Sequence, residues 1–491
     1  MKRYRLVLLI ALPAIGLVLF GSRWFRREAR GAVPLYPVVV RSSLLDQWPK
    51  GAVPTTHGQP TEGHPKKWWV IGWDGASWDL LLPLLEQGKM PNLKGLMDGG
   101  VSASLRTFKP TLSPVLWTTI ATGVPPSQHG IFDFVRRPEG PQKALSRLTD
   151  EEKQRLKFYS NADRQVRAIW NLVSERHRPV LVVGYHNTYP AEKLNGGVMV
   201  SNYLVREHSL EAFGRDVESL GALASPPGLI PHLRRFHHTT KDVTYEEMKR
   251  FADITPDELE ELKVRAGIDK KPSSERWLYL TKAYLHDQFG ADAALELLPR
   301  VKPDLFMLHF QCIDWAGHEF LQFHGTTARR LGAEPNPPAW RRYDGTVTAF
   351  YQYADEWLGR LLALRDADTA VAVLSDHGFE AALDEEGRGH HNEGPPGILV
   401  MEGPGLRRGG RLQDASVYDI FPTVAASYGL PVSRELRGRV LAEAFSPSGL
   451  SARPADVASY ESSQHYVPNV AMPEDMGGEL EKELRAMGYI N

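Results

Sequence analysis

The chain has 491 residues, of which 42% are apolar and 24% charged, and its formal net charge is −1. This length allows one large α/β catalytic domain with insertions, or two to three smaller domains. The near-zero charge excludes an overall basic field that would attract nucleic acid, so we expect no nucleic-acid partner. The single cysteine, Cys312, excludes an internal disulfide framework. We expect it to be a small buried hydrophobe at a strand end.

The N-terminus carries an apolar run from Leu6 to Gly21 with basic residues on both sides. As a helix this run would span about 24 Å, short of the hydrocarbon core of about 30 Å, and Trp24 and Phe25 would extend it. The run is followed by no small-residue cleavage site and no lipobox cysteine. This favours an uncleaved signal anchor over residues 1–30, with a cleaved signal peptide as the alternative. The basic flanks leave the orientation open.

A proline-rich stretch separates the anchor from the first predicted strand. Residues 31–66 contain six prolines with scattered Gly and Thr, which is typical of a linker. The apolar run from Lys67 to Ile71 then predicts a buried parallel strand whose carboxyl end presents Asp74. Helices are predicted over 78–88 and 91–98.

Helical and strand-like segments alternate along the rest of the chain. This alternation predicts a doubly wound, mostly parallel α/β sheet in a catalytic domain over 67–445. The charged pattern over about 205–300 indicates a helical insertion above the active-site face, and 446–491 is predicted to be a C-terminal tail. The remaining predicted elements are helices at 168–176 and 479–487 and strands at 179–184, 304–310, 370–374 and 397–401.

Aspartate and histidine residues follow three of the predicted strands. Ligands of open α/β sheets bind beyond the carboxyl ends of the strands, and mixed Asp/His ligation suits zinc or manganese better than magnesium or calcium. Each motif alone is weak, because Asp-x-x-x-His is common on surface helices and Asp-Gly is a common turn. Together they predict a metal site. The candidates are Asp74, Asp314, His318, Asp376, His377, His390 and His391.

Several longer stretches together resemble the type I phosphodiesterase/nucleotide pyrophosphatase branch of the alkaline phosphatase superfamily. The resemblance covers most of residues 68–435, in the family's order. The stretches that carry it include VIGWDGASWDLL (70–81), TLSPVLWTTIATGVPPSQHGIFDF (111–134), HFQCIDWAGHEF (309–320), VLSDHGFE (373–380) and GHHNEGPPGILVMEGPG (389–405).

The resemblance implies an alkaline phosphatase-like fold with two divalent cations, Zn²⁺ in the first place and Mn²⁺ as the alternative. One cation would be held by Asp314, His318 and His391, with His390 as the fallback. The other would be held by Asp74, Asp376, His377 and the oxygen of Ser113.

Ser113 is implied to be the nucleophile, and Thr111 is a plausible neighbour. A serine hydroxyl is a poor nucleophile near neutral pH, and coordination to a cation favours its alkoxide. Attack would give a phosphoseryl intermediate that water then hydrolyses. Ser113-Pro114 also predicts a helix start, whose backbone donors would face the phosphate oxygens.

Other residues within the resemblance have two interpretations each. Asn187 is a candidate phosphate contact, with an Asx turn as the alternative. We interpret His129 as structural. Trp73, Trp117 and Trp315 are either core residues or walls of the substrate slot, and the core interpretation is favoured for Trp73 and Trp117.

The leading hypothesis is hydrolysis of a phosphodiester or pyrophosphate bond in a phosphoester small molecule or headgroup. The alternatives are a membrane-tethered phosphoryl-headgroup transferase, a phosphomonoesterase and an anchored non-catalytic binding protein. Sulfatase chemistry is disfavoured, because its modified-residue signature requires x-Pro-x-Arg after the Cys or Ser, and Ser113 is followed directly by proline. The anchor and the resemblance predict a membrane-attached catalytic domain outside the cytoplasm. The sequence indicates no particular oligomeric state.

Overall fold

The protein is described by a computed structural model over residues 65–136, 149, 156–206, 223–265, 272–325, 337–380, 383, 388–450, 456–461, 466–468 and 470. The anchor predicted at 1–30, nearly all of the linker and the helix predicted at 479–487 lie outside these residues. Within them, no helix combines the length and apolar content that a membrane span requires.

The strands alternate with helices along the described chain. They are β1 (Lys67–Trp73), β2 (Val101–Leu105), β3 (Val135–Arg136), β4 (Lys157–Phe158), β5 (Val180–Val183), β6 (Val198–Val200), β7 (Ala224–Ser225), β8 (Leu305–Phe310), β9 (Thr369–Leu374), β10 (Gly397–Glu402), β11 (Gly410–Arg411), β12 (Val432–Ser433) and β13 (Asp456–Val457).

The helices account for a large part of the remaining described chain. They are α1 (Trp78–Glu86), α2 (Pro91–Gly99), α3 (Ser113–Thr122), α4 (Pro126–His129), α5 (Ile169–Ser174), α6 (Ile230–Leu233), α7 (Tyr245–Met248), α8 (Pro256–Arg265), α9 (Pro272–Val301), α10 (Cys312–Phe320), α11 (Pro337–Tyr343), α12 (Thr346–Leu362) and α13 (Ile420–Ser427). Short 3-10 turns lie at Asn161–Asp163, Pro227–Leu229, Arg234–Phe236, Leu321–Phe323, Val417–Asp419 and Ala442–Ala444.

Nine of the described strands form one sheet in the order β11-β2-β10-β9-β1-β8-β5-β6-β7. The central strands from β9 to β6 are parallel, whereas β10 and β7 run antiparallel to their neighbours. The predicted mixed α/β fold with a large, mostly parallel sheet is therefore confirmed. Within the described parts of 205–300, the helices α6 to α9 and two 3-10 turns predominate, with loops between them and the two-residue strand β7.

Both faces of the sheet are covered, because alternate side chains of each strand point to opposite sides. Trp69, Ile71 and Trp73 of β1 pack on the face covered by α1, α2, α9 and α12. Trp68 and Val70 pack on the other face, against α3, α5 and α13. Helices on both faces force ligands to the carboxyl edge of the parallel strands.

The strand β2 was not expected from the sequence. It is a short alternation of small residues, Val-Ser-Ala-Ser-Leu, whose two serines are only half-buried. Its pairing with β10, nearly 300 residues later in the chain, is what makes it a strand. This long-range pairing overrides a weak local preference.

Candidate metal centre and active site

Three neighbouring strands deliver the candidate ligands to one edge of the sheet. Strand β1 pairs with β8 on one side and with β9 on the other. Asp74 follows β1, Asp376 and His377 follow β9, and α10 carries Asp314 and His318 just after β8. Because all three strands are parallel, their carboxyl ends meet.

The first group of donor atoms surrounds the end of β1. His377 Nε2 lies 3.5 Å from Asp74 Oδ1 and 3.5 Å from Asp376 Oδ2. The Ser113 hydroxyl donates a hydrogen bond of 3.3 Å to Asp74 Oδ1. The structure thus brings together the four residues that the family resemblance assigns to one cation.

The second group lies on α10 and the loop before β10. Asp314 Oδ1 is 3.4 Å from His318 Nε2 and 3.8 Å from His391 Nε2, and the two imidazole nitrogens are 3.1 Å apart. Donor atoms about 2.0–2.1 Å from a tetrahedral Zn²⁺ are themselves about 3.3 Å apart. The separations in both groups fit such an ion.

The histidine tautomers also fit metal binding. The Nδ1–H groups of His318 and His377 donate to the carbonyls of Gly389 (2.8 Å) and Gly378 (3.1 Å). A ring that donates through Nδ1 keeps its lone pair at Nε2 when it is neutral. Both Nε2 atoms face the donor groups, which is how a backbone carbonyl orients a metal-ligating imidazole.

Thr111 fixes the third histidine in the same way. Its hydroxyl donates to the His391 carbonyl (2.6 Å), so it accepts from His391 Nδ1–H (3.1 Å). His390 instead lies beside Glu380, with its Nδ1 3.3 Å from that carboxylate, and among the described residues no ring nitrogen of His390 lies within 4 Å of an Asp314 oxygen. The geometry therefore favours His391 over the fallback His390 as the metal ligand. Thr111 contacts the Nδ1 side of His391, whereas it is Ser113 that contacts Asp74.

The buried carboxylates call for positive charge. Burial raises the pKa of Asp314 and Asp376 well above the usual range, and the charge of the neighbouring Asp74 raises both further. Asp314 Oδ1, Asp376 Oδ2 and His377 Nε2 are buried and have no hydrogen-bond partner among the described residues. Uncompensated buried charges of this kind are costly unless they are paired or coordinate a metal. The donor set fits two divalent cations.

Asp74 is held by groups that the sequence did not identify as functional. Its Oδ2 accepts from Trp117 Nε1 (2.8 Å) and His309 Nε2 (3.1 Å), and His186 Nε2 is 3.5 Å away. Burial raises the pKa of Asp74, but the contacts with both histidines outweigh this and hold it well below its usual value. With Oδ2 occupied, Oδ1 faces Ser113 and His377.

A substitution of Trp117 tests this orientation. The indole also fits against Gly72, where a Cβ atom would come within 2.5 Å of the ring. Replacing Trp117 by phenylalanine keeps most of the packing and removes the N–H donor to Asp74. We expect metal affinity and catalytic activity to fall by about 10–100-fold, the usual effect of losing an outer partner of a metal ligand.

The matched control is Trp68→Phe. The Trp68 indole also donates a buried hydrogen bond, to Ser427 Oγ (2.6 Å), but makes no contact with the ligands. Metal titration and steady-state kinetics on both variants check the prediction. Equal losses in the two variants would mean that the Trp117 effect is one of general packing.

Phe379 packs between the histidine ligands. Its ring meets His318 and His391 edge-on, with centroids 5.1 and 5.5 Å apart. Cβ atoms at Gly75 or Gly317 would lie 2.7 and 2.5 Å from this ring, and Gly75 also has a φ of +70°. These glycines therefore allow an apolar wedge to fix the imidazole planes.

Helix α3 begins at Ser113 and offers fewer donors than expected. Pro114 has no N–H, and the amides of Val115 and Leu116 both donate to the Leu112 carbonyl (2.9 and 3.0 Å). Of the backbone donors expected to face phosphate oxygens at this helix start, those of Val115 and Leu116 are therefore already engaged. Among residues 113–116, the backbone amide of Ser113 is the one that makes no described hydrogen bond and is left for a ligand.

Asn187 does not fit the predicted phosphate contact. Its Nδ2 donates to the Pro114 carbonyl (2.9 Å) and to Thr118 Oγ1 (2.9 Å), so both amide hydrogens are engaged. Its φ of +54° is one that asparagine tolerates in turns. The residue fixes the first turn of α3 and has no donor left for a phosphate oxygen.

His129 is structural, as expected. Its Nδ1 accepts from the Ile131 amide (3.1 Å) and its Nε2 lies 3.0 Å from Thr119 Oγ1. Burial lowers its pKa to about 3, with a further contribution from Arg164. The imidazole is therefore neutral and serves the fold.

A pocket of about 380 Å³ opens onto the donor groups. It is lined by Ser113, Asp314, His318 and His391, while Asp74 and Asp376 are fully buried beneath it. Pockets of this size hold small organic ligands. Trp315 lines the pocket, whereas Trp73 and Trp117 are core residues.

Comparison with known proteins identifies one family. The family described as type I phosphodiesterase / nucleotide pyrophosphatase matches residues 69–393. A 2,3-bisphosphoglycerate-independent phosphoglycerate mutase from Cereibacter sphaeroides is 37% identical over 95 residues, which are 18% of this chain and 18% of the mutase. The chain thus spans less than a fifth of this curated relative.

Two solved structures are similar at low identity. Wild-type alkaline phosphatase PafA has a TM-score of 0.45 and 12% identity, covering 78% of this chain and 99% of its own. Murine ectonucleotide pyrophosphatase/phosphodiesterase 5, in an inactive form in complex with AMP, has a TM-score of 0.43 and 12% identity, covering 77% and 100%.

Proposed function

Because the chain belongs to the type I phosphodiesterase / nucleotide pyrophosphatase family, we propose that it is a metal-dependent phosphoric ester hydrolase acting on phosphodiester or pyrophosphate bonds. One observation carries the proposal. The Ser113 hydroxyl lies 3.3 Å from Asp74 Oδ1, at the edge of a cluster of carboxylates and imidazoles. Three donor atoms of this cluster, Asp314 Oδ1, Asp376 Oδ2 and His377 Nε2, are buried without a hydrogen-bond partner among the described residues. A hydroxyl beside such a cluster can be activated as a nucleophile that attacks a phosphorus atom.

The two donor groups have separate parts in the reaction. Asp74, Asp376, His377 and Ser113 would hold one cation, and Asp314, His318 and His391 the other. When bound, the cations would stabilise the oxygen charge that develops in the displacement and favour the serine alkoxide. Zn²⁺ is the proposed metal, with Mn²⁺ as the alternative.

Ser113 would act as the nucleophile. The hydroxyl gives up its proton to solvent, and its Oγ forms a new bond to phosphorus as the bond to the leaving oxygen breaks. This releases the first alcohol product and gives a phosphoseryl intermediate. Asp74 Oδ1 accepts the serine hydrogen bond and orients the oxygen towards the pocket. Water then attacks the phosphoserine, releases the second product and restores the hydroxyl.

The rival functions differ in the acceptor or in the chemistry. A headgroup transferase would pass the phosphoryl group to an alcohol instead of water, and a phosphomonoesterase would use the same donors on a monoester. A non-catalytic binding protein is disfavoured, because every donor of both groups is present. We also propose that the catalytic domain is attached to a membrane outside the cytoplasm by residues 1–30.

The full chain, purified in detergent and loaded with Zn²⁺ or Mn²⁺, is expected to hydrolyse bis(p-nitrophenyl) phosphate, and chelation is expected to abolish turnover. Product analysis with added glycerol separates transfer from hydrolysis, and p-nitrophenyl phosphate tests for the monoesterase. Two bound metals per chain without turnover of any phosphoester would refute the proposal.

A further inference from the structure

A second polar pair faces the active-site pocket from the helical insertion. His286 and Asp287 lie on α9, and their Nδ1 and Oδ1 atoms are 2.7 Å apart. His286 is 7% exposed and lines the same pocket as Ser113. The Trp315 ring, with its centroid 5.6 Å from that of the imidazole, lines the pocket beside it.

Asp287 is fixed against the helix that carries two metal-ligand candidates. It is fully buried, and its two oxygens accept from the backbone amides of Gln311 and Cys312, both at 2.9 Å. These amides open α10. The position of the His286 ring is therefore tied to that of Asp314 and His318.

The hydrogen bond to Asp287 determines what His286 offers the pocket. A carboxylate only accepts, so the proton is on Nδ1, and the Nε2 of the neutral ring is an acceptor. Burial lowers the pKa of His286, and although Asp287 opposes this, the charges of His309 and Arg206 lower it further. The neutral form prevails near pH 7. No described residue makes a hydrogen bond to Nε2.

We propose that His286 Nε2 accepts a hydrogen bond from a hydroxyl group on the alcohol part of the substrate, which makes the substrate a phosphodiester of a polyhydroxy alcohol such as glycerol or a sugar. This inference rests on the proposed phosphodiesterase function. The pocket of about 380 Å³ leaves room beyond the phosphoryl group for such a moiety. The neighbouring Trp315 ring offers an apolar face to its carbon skeleton.

The surroundings favour a hydroxyl over an ammonium group. Arg206 lines the same pocket, and its charge acts on both His286 and His186. The acidic residues Asp314 and Glu319 also line the pocket, so this repulsion is confined to the surroundings of His286. Beside this ring the charge of Arg206 disfavours a second cation, whereas a neutral hydroxyl meets no such repulsion. A substrate without this hydroxyl makes one neutral hydrogen bond fewer to the His286 imidazole. The loss is roughly 0.5–1.5 kcal/mol, or about 2- to 12-fold in kcat/KM.

The test uses three p-nitrophenyl phosphodiesters with the same leaving group, whose second alcohol is propyl, 2,3-dihydroxypropyl or 2-aminoethyl. After subtraction of the rate without enzyme, the metal-loaded full chain is expected to prefer the dihydroxypropyl ester over the propyl ester by about 10-fold in kcat/KM. The kcat/KM for the aminoethyl ester is expected to exceed that of neither other ester. These wild-type measurements do not depend on how any variant folds.

His286→Phe keeps a ring of similar size and removes the acceptor, and it is expected to reduce the preference to about onefold. Because both esters are measured on one sample, partial loss of folded protein cancels in the ratio. The matched control is His232→Phe, since His232 also pairs with a carboxylate of α9, Glu296 (2.8 Å), but lies outside the pocket. The control is expected to keep the preference.

Two results would overturn the inference while leaving the proposed function intact: a wild-type enzyme that hydrolyses the propyl and dihydroxypropyl esters equally well, or a His286→Phe variant that keeps the preference. A preference for the aminoethyl ester would also overturn it. Failure to hydrolyse any of the three esters with metals bound would refute the proposed function and this inference together.

Discussion

Replacing Ser113 by alanine is expected to lower kcat for bis(p-nitrophenyl) phosphate by about 10³-fold or more, with both metals still bound. The serine oxygen is the one hydroxyl that touches Asp74, and no other described group takes its place. The other ligands are untouched, so metal content measured by elemental analysis is expected to stay at the wild-type level. Rapid-quench detection of a phosphoserine in the wild type, absent in the variant, completes the test.

Thr111→Val is the matched control for the nucleophile. It removes a hydroxyl two residues away while keeping the side-chain shape, and it breaks only the two hydrogen bonds to His391. A loss of about 10-fold is expected, through weaker metal binding at His391. A larger loss in Thr111→Val than in Ser113→Ala would move the nucleophile to Thr111.

Asp314→Asn is expected to have opposite effects on the metal-loaded and metal-free protein. With metals added, the substitution removes a charged ligand, and we expect one cation to be lost and kcat/KM to fall by about 10³-fold, since a catalytic cation contributes several kcal/mol. Without metals, it removes one of three buried carboxyl groups whose negative charges repel one another and so lower the stability of the folded protein. The metal-free variant should therefore melt at a higher Tm than metal-free wild type.

Calorimetry of both proteins, each with and without chelator, measures these two effects. Asp366→Asn is the control, because Asp366 is a half-exposed carboxylate paired with Lys67. That variant should show neither loss of metal nor a gain in metal-free stability. A metal-free Asp314→Asn protein that melts below wild type would contradict the view that the carboxylates repel one another.

The sequence predicted the central strands because their apolar runs end at polar ligands. Strand β8 was expected over 304–310 and runs over Leu305–Phe310, and β9 was expected over 370–374 and runs over Thr369–Leu374. The antiparallel course of β10 was not predicted. Strand β10 is antiparallel to both of its neighbours, β9 and β2, and no local pattern encodes the pairing with β2, which lies almost 300 residues away in the chain.

The residues around the ligands were harder to foresee. His309 carried one usable signal, since a histidine inside an otherwise apolar strand is costly unless it is hydrogen-bonded. Its register opposite Gly72 brings it beside Asp74. His286 and Asp287 gave no such signal, because their function depends on how the insertion packs against α10. A helical pattern alone does not show which residues face a neighbouring site.

The order of the ligands along the chain has a consequence for folding. Asp74 stands more than 300 residues before His391, and neither donor group is complete within any local segment. The three parallel strands must already be side by side before an ion can meet a full set of donors. Cation uptake is thus expected to be a late event on an assembled sheet, unlike in a zinc finger, where the ion organises an otherwise unfolded peptide.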